Sequence, residues 1–158
     1  MTIYVMTKRD AVTDLILEIF RLNGRLLVAG DALVAALGLT SARWQVLGAI
    51  ALSPVPLPVA HIARNMGLTR QAVQRLVNEM ERDGLMRFGP NPHHQRAKLV
   101  LLAPRGKAAY HAAMKRQSPW ASSLADGLTI RQIETATATL RSIRQRLGDQ
   151  VEQGNNNA

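Results

Sequence analysis

No cysteine occurs in the 158 residues. Its absence excludes a disulfide framework, a thiolate zinc site and thiol-based redox sensing. Aromatic residues are scarce, and no apolar run approaches the roughly 20 residues that a membrane-crossing helix needs. The N-terminus lacks the basic, apolar, small-residue order of a secretion signal. The chain also has no glycine-rich phosphate loop and no helix with two histidines and an acid at ligand spacing. His93 and His94 are adjacent, which is poor metal-chelating geometry. The expectation is a cytoplasmic chain that is not an enzyme, with no cofactor, no metal and no membrane contact.

What the chain has in excess is positive charge, a formal +9. Its distribution matters more than its size, because a binding face concentrates charge and a merely soluble surface spreads it. Between His61 and Arg116 lie eleven Lys and Arg against Glu79, Glu81 and Asp83, with all four histidines in the same window. About a third of the chain therefore carries nearly all the excess. That pattern favours a polyanion as partner.

Helical spacing of apolar residues runs from Lys8 to Gly38, through Val12, Leu15, Ile16, Ile19, Phe20, Leu26, Leu27, Leu33, Val34 and Leu37, and predicts one long helix. Gly24 and Gly30 inside it allow for a bend or a close helix contact. Thr40 or Ser41 caps a second helix, Ala42 to about Leu52, which the run SPVPLP ends. Pro58 suits the first turn of a short helix through Met66, closed by Gly67. Thr69 caps the next, Arg70 to Asp83, with Val73, Leu76, Val77 and Met80 inward and Arg70, Gln71, Gln74, Arg75 and Asn78 outward. Two strands, Leu85–Phe88 and Ala97–Leu102, flank a Gly, Pro and Asn-rich loop and should form a hairpin. Helices follow at Pro104–Gln117 and Thr129–Leu147, and the tail 151–158 reads as disordered.

Helix, tight turn at Gly67, second helix and hairpin make a helix-turn-helix followed by a β wing. The fold class expected is mainly α with a small β hairpin. An α-helix fits the major groove of B-form DNA, where base edges are read by two-pronged donors and acceptors. Arg70, Gln71, Gln74, Arg75 and Asn78 are of that kind, and Thr69 presents helix N-terminal amides to a phosphate. The hairpin from Leu85 to Gly106 carries four Lys or Arg, two His and no acid. A short basic loop beside a reading helix reaches the neighbouring minor groove or backbone. Arg96 is the expected tip contact, with Arg87, His93, His94 and Lys98 close along the two arms. Gln and Arg also fill exposed helix positions without any task. His61 and His111 read as ordinary surface residues.

The stretches LTSARWQVLGAIA (Leu39–Ala51), VAHIARNMGLTRQAVQRLVNEMERDGL (Val59–Leu85) and NPHHQRAKLVLLAPRGK (Asn91–Lys107) resemble the MarR family of bacterial winged-helix transcription regulators. The resemblance implies a winged helix-turn-helix domain, 39–103, flanked by an N-terminal dimerisation helix, 1–38, and C-terminal dimerisation helices, 104–150. It implies a homodimer on a pseudo-palindromic double-stranded operator. Many family members are repressors released by small aromatic or phenolic compounds bound between the dimer helices and the DNA-binding lobes. The family's wing carries an Asp and Arg pair that braces the arginine. Here the stretch reads His93, His94, Gln95, Arg96, and the acid is missing. A histidine there adds positive charge at mildly acidic pH.

Trp44 and Trp120, with Arg43, are candidate ligand contacts near the junction of dimer helices and lobe, although a Trp on an apolar helix face ordinarily packs in a core. Two readings of function stand at this point. One is a dimeric, sequence-specific regulator, a repressor released by a small ligand. The alternative keeps the fold as an effector-independent architectural DNA binder or a protein-interaction module.

Overall fold

The computed structural model describes residues 6–156, with side chains as far as Gly148. Packing divides the chain into a first unit, Met1–Gln117, and a second, Ser118–Ala158. The first begins with α1, Lys8–Val34, whose start is a capping box. Thr7 Oγ1 accepts from the Asp10 amide at 3.2 Å, and Asp10 Oδ2 accepts from the Thr7 amide at 3.0 Å. The expected single helix to Gly38 breaks three residues early into a 3₁₀ turn, Ala35–Leu37, before Gly38 ends it at φ 69°.

Thr40 caps α2, Ser41–Ala51, by accepting from the Arg43 amide at 3.2 Å. The corner between α1 and α2 is locked by Ser41, the one buried polar side chain among the described residues. Its Oγ donates to the Leu27 carbonyl at 2.7 Å, and its amide donates to Asp31 Oδ1 at 2.6 Å. A Cβ at Gly30 would run into Ser41 Oγ, so this glycine buys the close helix approach that the sequence allowed for.

After the prolines comes a strand that sequence spacing did not reveal: β1, Leu57–Pro58. Pro58 is thus the last strand residue and the N-cap of α3, Val59–Met66, rather than its first turn. Gly67 at φ 65° turns the chain into α4, Arg70–Arg82, where Thr69 Oγ1 accepts from the Ala72 amide at 3.2 Å. Gly84, φ 74°, leads into the hairpin of β2, Met86–Gly89, and β3, Leu99–Leu102. The sheet is antiparallel in the order β1, β3, β2, with Leu57 opposite Val100 and Phe88 opposite Val100 on the other side. Leu47, Ile62, Val73, Val77, Met80 and Val100 form the fully buried centre. Replacing such a side chain with Ala ordinarily costs about 2–5 kcal/mol.

α5, Pro104–Ala125, extends past the expected end at Gln117 and passes through Pro119. That proline removes the helical donor for the Lys115 carbonyl, and it lies beside the division between the two units. In the second unit, Thr129 and Gln132 cap α6, Ile130–Asn156, the Gln132 amide donating to Thr129 Oγ1 at 3.3 Å and the Thr129 amide to Gln132 Oε1 at 2.8 Å. The backbone helix continues through residues 151–156 of the segment read as a disordered tail; residues 157 and 158 lie outside the described residues.

Candidate nucleic-acid interface

α4 divides lengthwise. Val73, Val77 and Met80 are fully buried, which fixes the opposite stripe to face outward. On that stripe Arg70, Gln71, Gln74, Arg75 and Asn78 line one concavity of about 910 Å³, joined at its far end by Glu81 and Arg82. Gln74 Nε2 donates to Asn78 Oδ1 at 2.9 Å, an i,i+4 amide pair that orients both groups before any ligand arrives. Thr69 uses its hydroxyl on the cap and leaves the first-turn amides of α4 to an anion.

The C-terminal end of α4 is held from two sides. Arg43 Nη1 donates to Asp83 Oδ2 at 2.7 Å, with Arg43 Nη2 3.8 Å from Glu79 Oε2. Arg105, on α5, donates to the Asp83 carbonyl at 2.8 Å. Gly106 then packs so tightly that a Cβ there would strike the Leu85 carbonyl oxygen. Arg43, a ligand candidate from sequence, is therefore engaged in fastening the end of α4. Trp44 is half-buried and packs against the core beside Gly30. Trp120 belongs to the second unit.

The hairpin loop is braced without an acid. Asn91 Nδ2 donates to the Ala97 carbonyl at 2.7 Å, and Asn91 Oδ1 accepts from the His93 amide at 3.0 Å. Two backbone bonds, His94 to the Asn91 carbonyl at 3.2 Å and Ala97 to the His94 carbonyl at 3.1 Å, close the turn. Asn91 thus does for the loop backbone what sequence reasoning sought in an aspartate; a side-chain amide two residues before His93 was the available signal.

Hairpin and helix candidates meet. His93, His94, Arg96 and Lys98 line a groove of about 760 Å³ together with Arg70 and Gln74, so these last two residues border both concavities. Gln71, Arg75 and Asn78 border only the helix concavity, and Arg87 neither. Sequence reasoning missed two other members of the groove, His61 and Arg64 of α3. It also missed a cavity of about 370 Å³, where the proline-rich loop, Pro54–Pro56, stands off from Leu101 and Leu102 and from Tyr110 and Lys107 of α5. Pro56 lacks the N–H needed to lengthen β1 along β3, so the gap stays open. Among the described residues no three His or acidic side chains converge on a metal site, and no single helix is long and apolar enough to cross a membrane.

The model of the MarR family matches residues 37–97. An uncharacterised protein of Mycobacterium bovis is 32% identical over 132 residues, 84% of this chain and 91% of its own length. The transcriptional activatory protein BadR of Rhodopseudomonas palustris is 30% identical over 102 residues, 63% of this chain and 58% of its own length. Among solved structures, CouR of Rhodococcus jostii, bound to p-coumaroyl-CoA, superposes with a TM-score of 0.75 at 24% identity, covering 83% of this chain and 92% of that one. The Mycobacterium tuberculosis regulator MosR in complex with DNA superposes with a TM-score of 0.69 at 23% identity, covering 83% and 96%. On these likenesses, and with the helix-turn-helix and hairpin described above, the chain belongs to the MarR family and is a winged-helix, DNA-binding transcription regulator rather than an enzyme.

Proposed function

We propose that the chain is a sequence-specific regulator that acts in the cytoplasm as a homodimer on a pseudo-palindromic operator, represses from it, and is released by a small aromatic or phenolic ligand. The observation that carries the DNA reading is the outward stripe of α4, where Gln71, Gln74, Arg75 and Asn78 present amide and guanidinium groups suited to base edges and Arg70 joins them to the hairpin groove. In this reading the amides at Thr69 take a phosphate, and His93, His94, Arg96 and Lys98 of the hairpin hold the backbone or an adjacent minor groove.

Dimerisation is supported by large apolar side chains that stand exposed on α1 and on α6. On α1 Phe20 is 70% exposed and Val28 71%; on α6 Ile130 is 76% exposed and Leu147 57%. A two-fold pair is the commonest way to bury such faces. The segments assigned to this task are 1–38 and 104–150, leaving 39–103 to DNA.

We seat the effector in the cavity bordered by Leu101, Leu102, Tyr110 and Lys107, because Arg43 is already held by Asp83 and Glu79. Trp44 and Trp120 remain the aromatic candidates outside it. CouR holds p-coumaroyl-CoA, which favours a ligand-responsive regulator. BadR is an activatory protein, which favours the opposite polarity for the same binding surface.

The test is anisotropy of a labelled duplex from upstream of the protein's own coding region, with a shuffled duplex as control, at several salt concentrations. A specific regulator prefers its own duplex about 10³-fold or more. Its log affinity falls with log salt at a slope of about −5 to −9, for six to ten phosphate contacts. Equal, weak binding to both duplexes would instead establish the architectural or protein-interaction reading.

A further inference from the structure

We infer that Gln74 and Asn78 read DNA as one unit with divided roles: Gln74 reads adenine, and Asn78 reads guanine within about two base pairs of it. The inference rests on the DNA-reading role proposed above and names bases which that role leaves open. Both residues stand on the outward stripe of α4, four positions apart, and both line its concavity. Buried Val73 and Val77 fix the rotation of the helix, so this stripe keeps facing the concavity. Four residues of helix rise about 6 Å, close to two steps of about 3.4 Å between stacked bases.

Their mutual bond sets the two apart from their neighbours. Gln74 Nε2 donates to Asn78 Oδ1 at 2.9 Å, whereas Arg70, Gln71 and Arg75 of the same stripe make no side-chain hydrogen bond among the described residues. Those three turn to suit whichever base edge they meet. The two amides arrive with one group each already committed.

An unbonded asparagine offers an acceptor and a donor together, the pattern that adenine answers with its N6 amine and N7. The bond from Gln74 instead directs the Asn78 oxygen back along the helix, which leaves the Asn78 amine as the end offered to DNA. An amine with two hydrogens matches O6 and N7 of guanine and is mismatched to the amine of cytosine. Gln74 gives up only one of its amide hydrogens. Its other hydrogen and its free oxygen remain, and together they form the adenine pattern. When DNA closes over the concavity and water leaves, the bond between the amides strengthens and holds this division of roles.

The experiment is selection of duplexes from a random library by the full chain, followed by competition binding of single-base variants of the selected duplex. Asn78→Asp keeps an oxygen for Gln74 but has no amine. It should erase one guanine preference of about tenfold and leave a nearby adenine preference intact. The added charge weakens every duplex alike, so the ratio between bases at one position does not register it. Gln74→Ala should erase the adenine preference and, by releasing Asn78, raise adenine to within about twofold of guanine at the Asn78 position. That second effect, at a base the substituted residue does not touch, separates a coupled pair from two independent readers. Asn78 is exposed and Gln74 half-buried, and circular dichroism confirms that each variant folds. The inference is overturned if Asn78→Asp erases no preference, if the position it erases is an A·T pair in the wild-type duplex, or if Gln74→Ala leaves that position unchanged. In each of these cases the wild type still selects a duplex and the regulator reading stands. A wild type that selects nothing defeats the regulator reading itself.

Discussion

Arg43, at the start of α2, donates to the carboxylate of Asp83, forty residues on, at 2.7 Å. Asp83 is the C-cap of α4, so the bond ties the end of that helix to the body of the lobe. Only 21% of the Arg43 side chain is exposed, against 47% for Asp83. A half-exposed pair of this kind contributes about 0.5–1 kcal/mol. A double-mutant cycle with Arg43→Met and Asp83→Asn, measured by urea unfolding, should return a coupling in that range. Both variants should also bind operator DNA several-fold more weakly, from a looser α4. Full additivity in stability, with unaltered DNA binding, would show that the pair holds nothing.

On α4 and the hairpin, contacts that read and contacts that grip should separate. Gln71→Ala or Arg75→Ala should cost about 1–3 kcal/mol on the preferred duplex and relax preference at one base position. Arg96→Ala should weaken selected and shuffled duplexes evenly and reduce the salt slope by about 0.9 per chain. Affinity left untouched by all three would mean that the DNA-facing stripe lies elsewhere.

Two glycines should respond to alanine with opposite signs. At Gly106 the new methyl meets the Leu85 carbonyl oxygen, a backbone atom that does not yield. Gly106→Ala should therefore destabilise by about 1–3 kcal/mol, as overpacking does. Nothing lies within 4 Å of a Cβ at Gly24. Gly24→Ala should stabilise α1 by up to about 1 kcal/mol, from helix propensity alone. Thermal melts of the two variants decide the matter, and equal shifts would contradict the packing described at Gly106.

The exposed face of α1 carries a prediction about assembly. Phe20→Glu places a charge where a partner's apolar surface is expected, and sedimentation should show it shifting the protein toward monomer at concentrations where the wild type pairs. A wild type that sediments as a monomer, or a Phe20→Glu variant that pairs as tightly, would remove α1 from the interface.

Local signals carried much of the lobe in the sequence. Thr40, Thr69, Gly38, Gly67 and Gly84 all stand where their backbone chemistry directed, because caps and left-handed turns depend on neighbours within a few residues. β1 escaped notice because two residues give no periodicity, and their identity as a strand comes only from pairing with Leu99 and Val100. The helix expected over Pro104–Gln117 runs on to Ala125 through Pro119, where at an exposed position it continues past the missing donor. Among the site residues, those on α4 were legible from spacing. Arg43 was not, since its partner is forty positions away, and neither was the place of His61 and Arg64 along the groove, which depends on the hairpin folding back beside α3.

The loop that presents Arg96 is strutted by an amide. Asn91 carries no charge at any pH a cell reaches, so neither counterions nor acidification loosens the two bonds it makes. Salt added to a DNA titration therefore leaves these two bonds of the hairpin intact. Whatever salt does to DNA binding then comes from charged groups, the Arg43–Asp83 pair at the end of α4 among them, and not from the strut of this loop.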